Sequence, residues 1–169
     1  MTRPRAACRA LAVIALTGAL ALTLIVPLRP WLVWNVSKSA PVGLYLIRGR
    51  GGVGAGDMVL ARVPEGWRRL AAGRRYLPQN VPLIKRAAAV PGDKVCARGS
   101  QILVNGHRIA ERRRFDGGGR PMPWWTGCVT LRRGSSFLLM ETPASFDGRY
   151  FGPTGEADII GLARLIWRR

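Results

Sequence analysis

Gln101-Ile102-Leu103-Val104-Asn105-Gly106-His107-Arg108-Ile109-Ala110 decides the fold class. Two apolar runs flank Asn-Gly, the dipeptide that accepts positive φ at both central positions of a type I′ turn and so folds a chain back as a β-hairpin. His107 then starts a strand just past the hairpin tip. The same short-strand grammar extends outward in both directions. Residues 42–47 and 58–63 are apolar runs joined by a glycine-rich connection over 51–56, and they are expected to pair. Residues 65–75 suit a short helix with Trp67, Leu70 and Ala71 inward, and Pro78 and Pro82 break the chain before a strand over 83–90. Downstream of the hairpin, 111–127 is a polar excursion carrying Trp124 and Trp125, and 137–140 and 159–167 read as closing strands. The fold class is mainly β with an N-terminal helix.

That helix comes from residues 10–28, where no charged side chain occurs before Arg29. At ~1.5 Å rise per residue the run reaches ~28 Å, close to the hydrocarbon thickness of a bilayer. The expectation is a transmembrane anchor over 10–28 behind a cytoplasmic segment, 1–9. Arg3, Arg5 and Arg9 precede the run and only Arg29 follows closely, so the positive-inside rule sends 30–169 across the membrane and places Trp31 and Trp34 at the far interface. A cleavable secretory signal competes, with Ala19-Leu20-Ala21 as its small-residue cleavage site. The apolar stretch continues past that site and exceeds the ~7–15 residues of a signal-peptide core, which favours an uncleaved anchor.

The 169 residues allow one ordinary domain plus an appendage, and a hydrophobic fraction of 48% is too high for a disordered basic tail. Lysine and arginine number 27 against 9 acidic residues, a net charge of +18. That excess raises nucleic-acid binding. The basic residues are scattered, however, and no zinc-knuckle, RRM or helix-turn-helix pattern organises them, so no nucleic-acid partner is expected. Contact with anionic lipid headgroups is the partner that the charge favours. Of the three cysteines, Cys8 falls before the apolar run; Cys96 and Cys128 form a disulfide in the economical reading, worth roughly 3–4 kcal/mol by loop entropy, or remain two buried thiols. The single histidine, His107, offers no paired ligand spacing, so neither a metal nor another cofactor is expected.

Nucleophilic catalysis needs an activated Ser, Cys or Lys and a base able to lose its proton. One histidine flanking a hairpin turn makes a Ser-His-Asp triad improbable. Arginine stays protonated in proteins, which leaves Lys38, Lys85 and Lys94 as amine bases. Lys38 and Lys94 lie in polar surroundings. Lys85 lies in Pro82-Leu83-Ile84-Lys85-Arg86-Ala87-Ala88-Ala89-Val90, an otherwise apolar strand. Two readings stay open: the ammonium is buried and its pKa lowered, as a lysine base requires, or strand alternation points it outward. A second candidate stretch, Asn35-Val36-Ser37-Lys38-Ser39-Ala40-Pro41-Val42-Gly43-Leu44-Tyr45, sets two serines around a lysine, with Pro41 and Gly43 shaping a turn.

Four ordered blocks carry a resemblance. They are Ser39-Ala40-Pro41-Val42-Gly43-Leu44-Tyr45; Ile84-Lys85-Arg86 followed by Val90-Pro91-Gly92-Asp93-Lys94-Val95; Arg120-Pro121-Met122-Pro123 with Trp125, Gly127 and Cys128; and Ser145-Phe146-Asp147-Gly148-Arg149-Tyr150-Phe151-Gly152-Pro153. In this order they resemble the signal peptidase I superfamily of Ser-Lys proteases, and within it the conjugative-transfer peptidases of TraF type. The resemblance implies a signal-peptidase-like antiparallel β-sheet or barrel behind one transmembrane helix. It implies Ser39 as nucleophile, Lys85 as general base, Ser145 as the hydroxyl that orients the lysine amine, and Asp147 with Arg149 as an ion pair bracing that loop. Ser37 and the Ser39 backbone N–H would stabilise the oxyanion. The chain departs from the family at Gly148, where a serine is expected, and at Met140-Glu141-Thr142-Pro143, where Gly-Asp-Asn is usual.

The implied activity is that of a membrane-anchored serine endopeptidase at the outer face of a bacterial inner membrane, with the N-terminus cytoplasmic and the catalytic domain, 30–169, periplasmic. Its partner is a precursor protein, a propilin of a conjugation or type IV secretion system. The rival readings are a general signal peptidase I acting on many signal-peptide-bearing precursors, and an inactive scaffold of a secretion apparatus.

Overall fold

In the computed structural model, residues 3–25, 30–49 and 51–169 are described. The chain divides into two compact units at the junction of Pro30 and Trp31. The first contains helix α1 (Arg3–Ile25). Among the described residues no helix is long and apolar enough to cross a membrane. This overturns the expected anchor over 10–28, and with it the single-pass inner-membrane topology with a cytoplasmic N-terminus and a periplasmic domain. The physical reason is length. The helix takes in arginines from its first turn, and its charge-free part within the described residues, 10–25, covers ~24 Å at ~1.5 Å per residue against a ~30 Å hydrocarbon core. Residues 26–28 of the expected span lie outside the described residues.

The second unit is mainly β, as the hairpin grammar predicts. Its elements are β1 (Leu32–Asn35), β2 (Gly43–Arg48), β3 (Met58–Ala61), α2 (Glu65–Gly73), β4 (Leu83–Ala89), β5 (Lys94–Arg98), β6 (Gln101–Val104), β7 (His107–Glu111), β8 (Gly127–Thr130), β9 (Ser135–Leu139), a single helical turn α3 (Gly148–Phe151), β10 (Thr154–Gly155) and β11 (Ile159–Arg168). Seven strands form an antiparallel sheet in the order β1-β2-β11-β3-β4-β9-β10, and four form a second in the order β7-β6-β5-β8. The β6–β7 hairpin turns through Asn105 at φ 51° and Gly106 at φ 85°, the two positive values that the type I′ turn demands.

The expected pairing of 42–47 with 58–63 does not form. The C-terminal strand β11 lies between them, antiparallel to β2 on one edge and to β3 on the other. Inserting it separates β2 and β3 by two inter-strand spacings of ~4.8 Å, a gap that the glycine-rich connection spans with ease. The insertion is close: a Cβ at Gly43 would stand 2.1 Å from the Trp167 carbonyl oxygen, and one at Gly161 would stand 2.0 Å from that of Arg48. Only glycine fits at either crossing.

Three apolar clusters hold the unit. Tyr45, Leu60, Ile84, Met140 and Ala163 pack together in one; Val59, Val63, Ala87 and Leu138 pack in another. The third joins the two sheets, with Val95 and Ile102 from one meeting Phe137 and Leu139 from the other. Cys96 and Cys128 occupy the same register position on β5 and β8, and their sulfurs are bonded.

Candidate active site

The loop between β1 and β2 carries two serines, and one side chain organises it. Asn35 ends β1 and is buried. Its Nδ2 donates to the carbonyls of Ser37 (3.0 Å), Ala40 (3.2 Å) and Pro41 (3.0 Å), while its Oδ1 accepts the Ser37 N–H at 3.1 Å. The Tyr45 hydroxyl adds a second tie, donating to the Pro41 carbonyl at 2.8 Å. Burial pushes the Tyr45 phenol up, so it stays a donor. This loop holds the hydroxyls of Ser37 and Ser39 3.0 Å apart and points the Ser39 N–H at Ser37 Oγ, 3.4 Å away. The Ser37 hydroxyl thus lies beside both the hydroxyl and the backbone N–H of Ser39.

Lys85 sits mid-strand in β4, and the two readings of it resolve toward the interior. Leu83, Ile84 and Lys85 are all buried in succession, because both faces of this central strand are covered; Arg86 is the residue that turns outward. The Lys85 side chain is 4% exposed. Nζ donates to Ser39 Oγ at 2.9 Å and to Ser145 Oγ at 2.7 Å. Burial pushes the ammonium down to about 8; the Asp147 carboxylate opposes that shift and the Arg149 guanidinium adds to it.

Ser145 is set by the turn that follows β9. Asp147 and Arg149, both buried, pair at 2.8 Å between Oδ1 and Nε. The pair is saturated by backbone: Asp147 Oδ2 accepts the Met140 N–H at 3.1 Å, and Arg149 Nη2 donates to the Met140 carbonyl. Arg149 Nη1 reaches the Pro143 carbonyl at 3.4 Å. A buried ion pair is tolerated only when its remaining hydrogen-bonding capacity is met in this way.

These groups open on a cleft of about 520 Å³ lined by both serines of the β1–β2 loop, by Lys85 and Ser145, and by apolar side chains that include Val33, Val36, Leu77 and Val81. Apolar walls with convergent polar groups are the usual form of a binding cleft. Among the described residues no cluster of three or more His, Cys, Asp or Glu side chains is placed to hold a metal ion. His107 is exposed at the start of β7 and does not line the cleft.

The family model for signal peptidase, peptidase S26, matches residues 5–168. The chain belongs to the signal peptidase S26 family. It is 33% identical over 143 residues to a conjugal transfer protein TraF of Agrobacterium fabrum, covering 79% of this chain and 80% of that one. A plasmid transfer protein TraF of Escherichia coli is 32% identical over 146 residues, 79% of this chain and 82% of the relative. A crystal structure of a signal peptidase I from Enterococcus faecalis aligns over 68% of this chain and 98% of its own at a TM-score of 0.39 and 20% identity. By its family the chain is a serine peptidase, and its relatives include TraF-type conjugal transfer proteins.

The two departures from the S26 pattern have physical explanations. A Cβ at Gly148 would stand 2.7 Å from the Leu138 carbonyl oxygen and 2.9 Å from a Phe137 ring carbon, so this S26 chain has no room there for a serine. Trp125 fixes the same spot, its indole N–H donating to the Gly148 carbonyl at 3.1 Å while its ring meets Phe137 edge-on. The Met140-Glu141-Thr142-Pro143 run serves the site through main-chain groups: the Met140 N–H and carbonyl, the Thr142 carbonyl that accepts the Ser145 N–H at 3.0 Å, and the Pro143 carbonyl. Glu141 and Thr142 are exposed, whereas the Met140 side chain also packs in the first apolar cluster. Asn35 is the residue that sequence reasoning passed over; its signal was an asparagine at a strand end four residues before the serine.

Proposed function

We propose that this S26 peptidase is a Ser39/Lys85 endopeptidase that processes a precursor protein in a conjugative-transfer system, the precursor being a propilin. The observation that carries this reading is the buried Lys85 amine within 2.9 Å of Ser39 Oγ, with its pKa lowered to about 8. A neutral amine at that distance accepts the Ser39 proton as the oxygen attacks the scissile carbonyl. The Ser39 N–H and the Ser37 hydroxyl receive the developing oxyanion. Lys85 then passes the proton to the leaving amine, and water releases the acyl-enzyme by the same route. Ser145, 2.7 Å from Nζ, holds the amine on the line to Ser39.

The TraF-type relatives support a substrate from conjugal transfer. The lipid contact that the basic composition favours is assigned to Trp31, Trp34 and Trp167, which are exposed on the β1–β2–β11 edge beside the serine loop, the Trp34 and Trp167 rings 5.2 Å apart. Tryptophan is the side chain suited to a headgroup interface. The experiment is cleavage of a purified propilin by wild type, Ser39→Ala and Lys85→Ala. Both variants are expected to be inactive. Equal processing by all three sinks the dyad.

A further inference from the structure

The connection between β7 and β8 walls the cleft, and it is held rigidly. Arg112 is buried at its start, donating to the Trp125 carbonyl at 2.7 Å and to the Gly99 carbonyl, with its guanidinium 4.3 Å above the Trp124 ring. The next backbone N–H, that of Arg113, donates at 3.1 Å to the hydroxyl of the buried Tyr150. Farther along, the Tyr76 hydroxyl and Arg120 both bind the Asp116 carboxylate, and Tyr76 holds that carboxyl well below the usual carboxylate range. The far wall is thereby latched to the residues after α2.

Four cationic side chains line the cleft against one carboxylate, Asp116. Three of the four are already engaged. Lys85 lies between two serines, Arg120 is paired with Asp116 at 2.7 Å, and Arg74 donates to the Pro121 carbonyl at 2.8 Å. Arg113 is the exception: among the described residues its guanidinium has no hydrogen-bond or ion-pair partner, although its backbone is pinned by Tyr150. An exposed, unpaired cation on a pinned backbone, at the wall of a cleft whose other charges are already engaged, is complementary to one negative charge on whatever occupies that cleft.

We propose that Arg113 is a specificity-determining residue that reads an acidic side chain on the substrate peptide, so that the cleft selects an apolar segment carrying one carboxylate. The proposal rests on the peptidase reading for what enters the cleft. A partly exposed ion pair is worth a few-fold to about tenfold in affinity, and screening by salt weakens it.

The test separates binding from turnover. Fluorescent short apolar peptides, each with a single glutamate placed at successive positions and each matched by a glutamine peptide, are titrated onto the Ser39→Ala protein. At one position the glutamate peptide is expected to bind about three- to tenfold tighter than its glutamine match, with the gap closing at about 0.5 M salt. Adding Arg113→Glu should abolish that preference and favour a lysine peptide instead. Adding Arg114→Glu, the same charge change at a neighbouring residue that does not line the cleft, should preserve it. Equal binding of glutamate and glutamine peptides at every position, no binding of any peptide, or equal effects of the two arginine variants overturns the proposal. A glutamate preference in a protein whose wild type cleaves nothing would instead sink the Ser39/Lys85 reading and leave Arg113 standing.

Discussion

The Asn35 side-chain amide donates to the carbonyl of Pro41, six residues further on, and so closes the loop that presents Ser39. The same amide also holds Ser37 and Ala40, which makes one buried side chain the frame for both the proposed nucleophile, Ser39, and the proposed oxyanion donor, Ser37. Asn35→Asp keeps the shape but turns a donor toward three carbonyls into an acceptor. Leaving such buried groups unmatched costs about 1–3 kcal/mol, and displacement of a reacting atom by ~1 Å costs about 10²-fold in rate. The expected result is a loss of that order in kcat with KM little changed, measured on a peptide substrate. An unchanged kcat would show that the loop holds without the amide.

Lys85 gives a pH prediction with a definite sign. Its pKa is pushed down to about 8 by burial, so the proposed base is charged below that pH and neutral above it. The turnover rate should rise about tenfold per pH unit up to about 8 and level off beyond. Stability carries the same signature: between about 8 and the ordinary lysine value the unfolded chain binds more protons than the folded one, so stability rises with pH across that window. A rate profile flat from pH 6 to 9 would exclude Lys85 as the base.

Local rules made much of the fold legible. The Asn105-Gly106 turn, the short helix over α2 and the break before β4 each depend on a few adjacent residues. The place of β11 depends on pairings more than a hundred residues apart, and no periodicity encodes those. The expected anchor failed for a different reason: an apolar run in composition is not by itself a span, and the described helix α1 combines the charged segment before residue 10 with only part of that run. At the site, serine and lysine types and their ordered blocks were readable. Burial of Lys85 was not, since alternation assumes one solvated face and β4 has none over Leu83–Lys85. Asn35 works through main-chain carbonyls of its own loop, a role that leaves no spacing pattern.

Gly148 should resist restoration of the family serine. The added side chain meets the Leu138 carbonyl and the Phe137 ring, and overpacking of a filled core costs about 1–3 kcal/mol. Gly148→Ser is therefore expected to lower stability by that amount in urea unfolding without raising activity. A gain in activity at unchanged stability would mean that the backbone yields and the hydroxyl reaches the lysine.

The Cys96–Cys128 bond closes a loop of 32 residues between neighbouring strands of the smaller sheet. The chain-entropy model assigns such a loop roughly 3–4 kcal/mol. Replacing both cysteines by alanine should cost about that in denaturant unfolding, because the bond acts chiefly on the unfolded chain. Since neither cysteine lines the cleft, the pH profile of the folded enzyme should not move.

Asp147 and Arg149 act on Lys85 with opposite signs, and that opposition separates an electrostatic role from a merely structural one. The carboxylate stabilises the Lys85 ammonium and the guanidinium destabilises it. Removing one member of a buried pair leaves the other uncompensated and costs about 3–5 kcal/mol, so Asp147→Asn and Arg149→Met should both be less stable. Their pH profiles should nonetheless diverge, the Asp147→Asn midpoint falling below that of wild type and the Arg149→Met midpoint rising above it. Simple loosening of the turn would shift both midpoints in the same direction, toward the value of a better-solvated lysine. Opposite displacement in the two variants, measured on folded protein, is what a charge pair acting on a neighbouring amine produces.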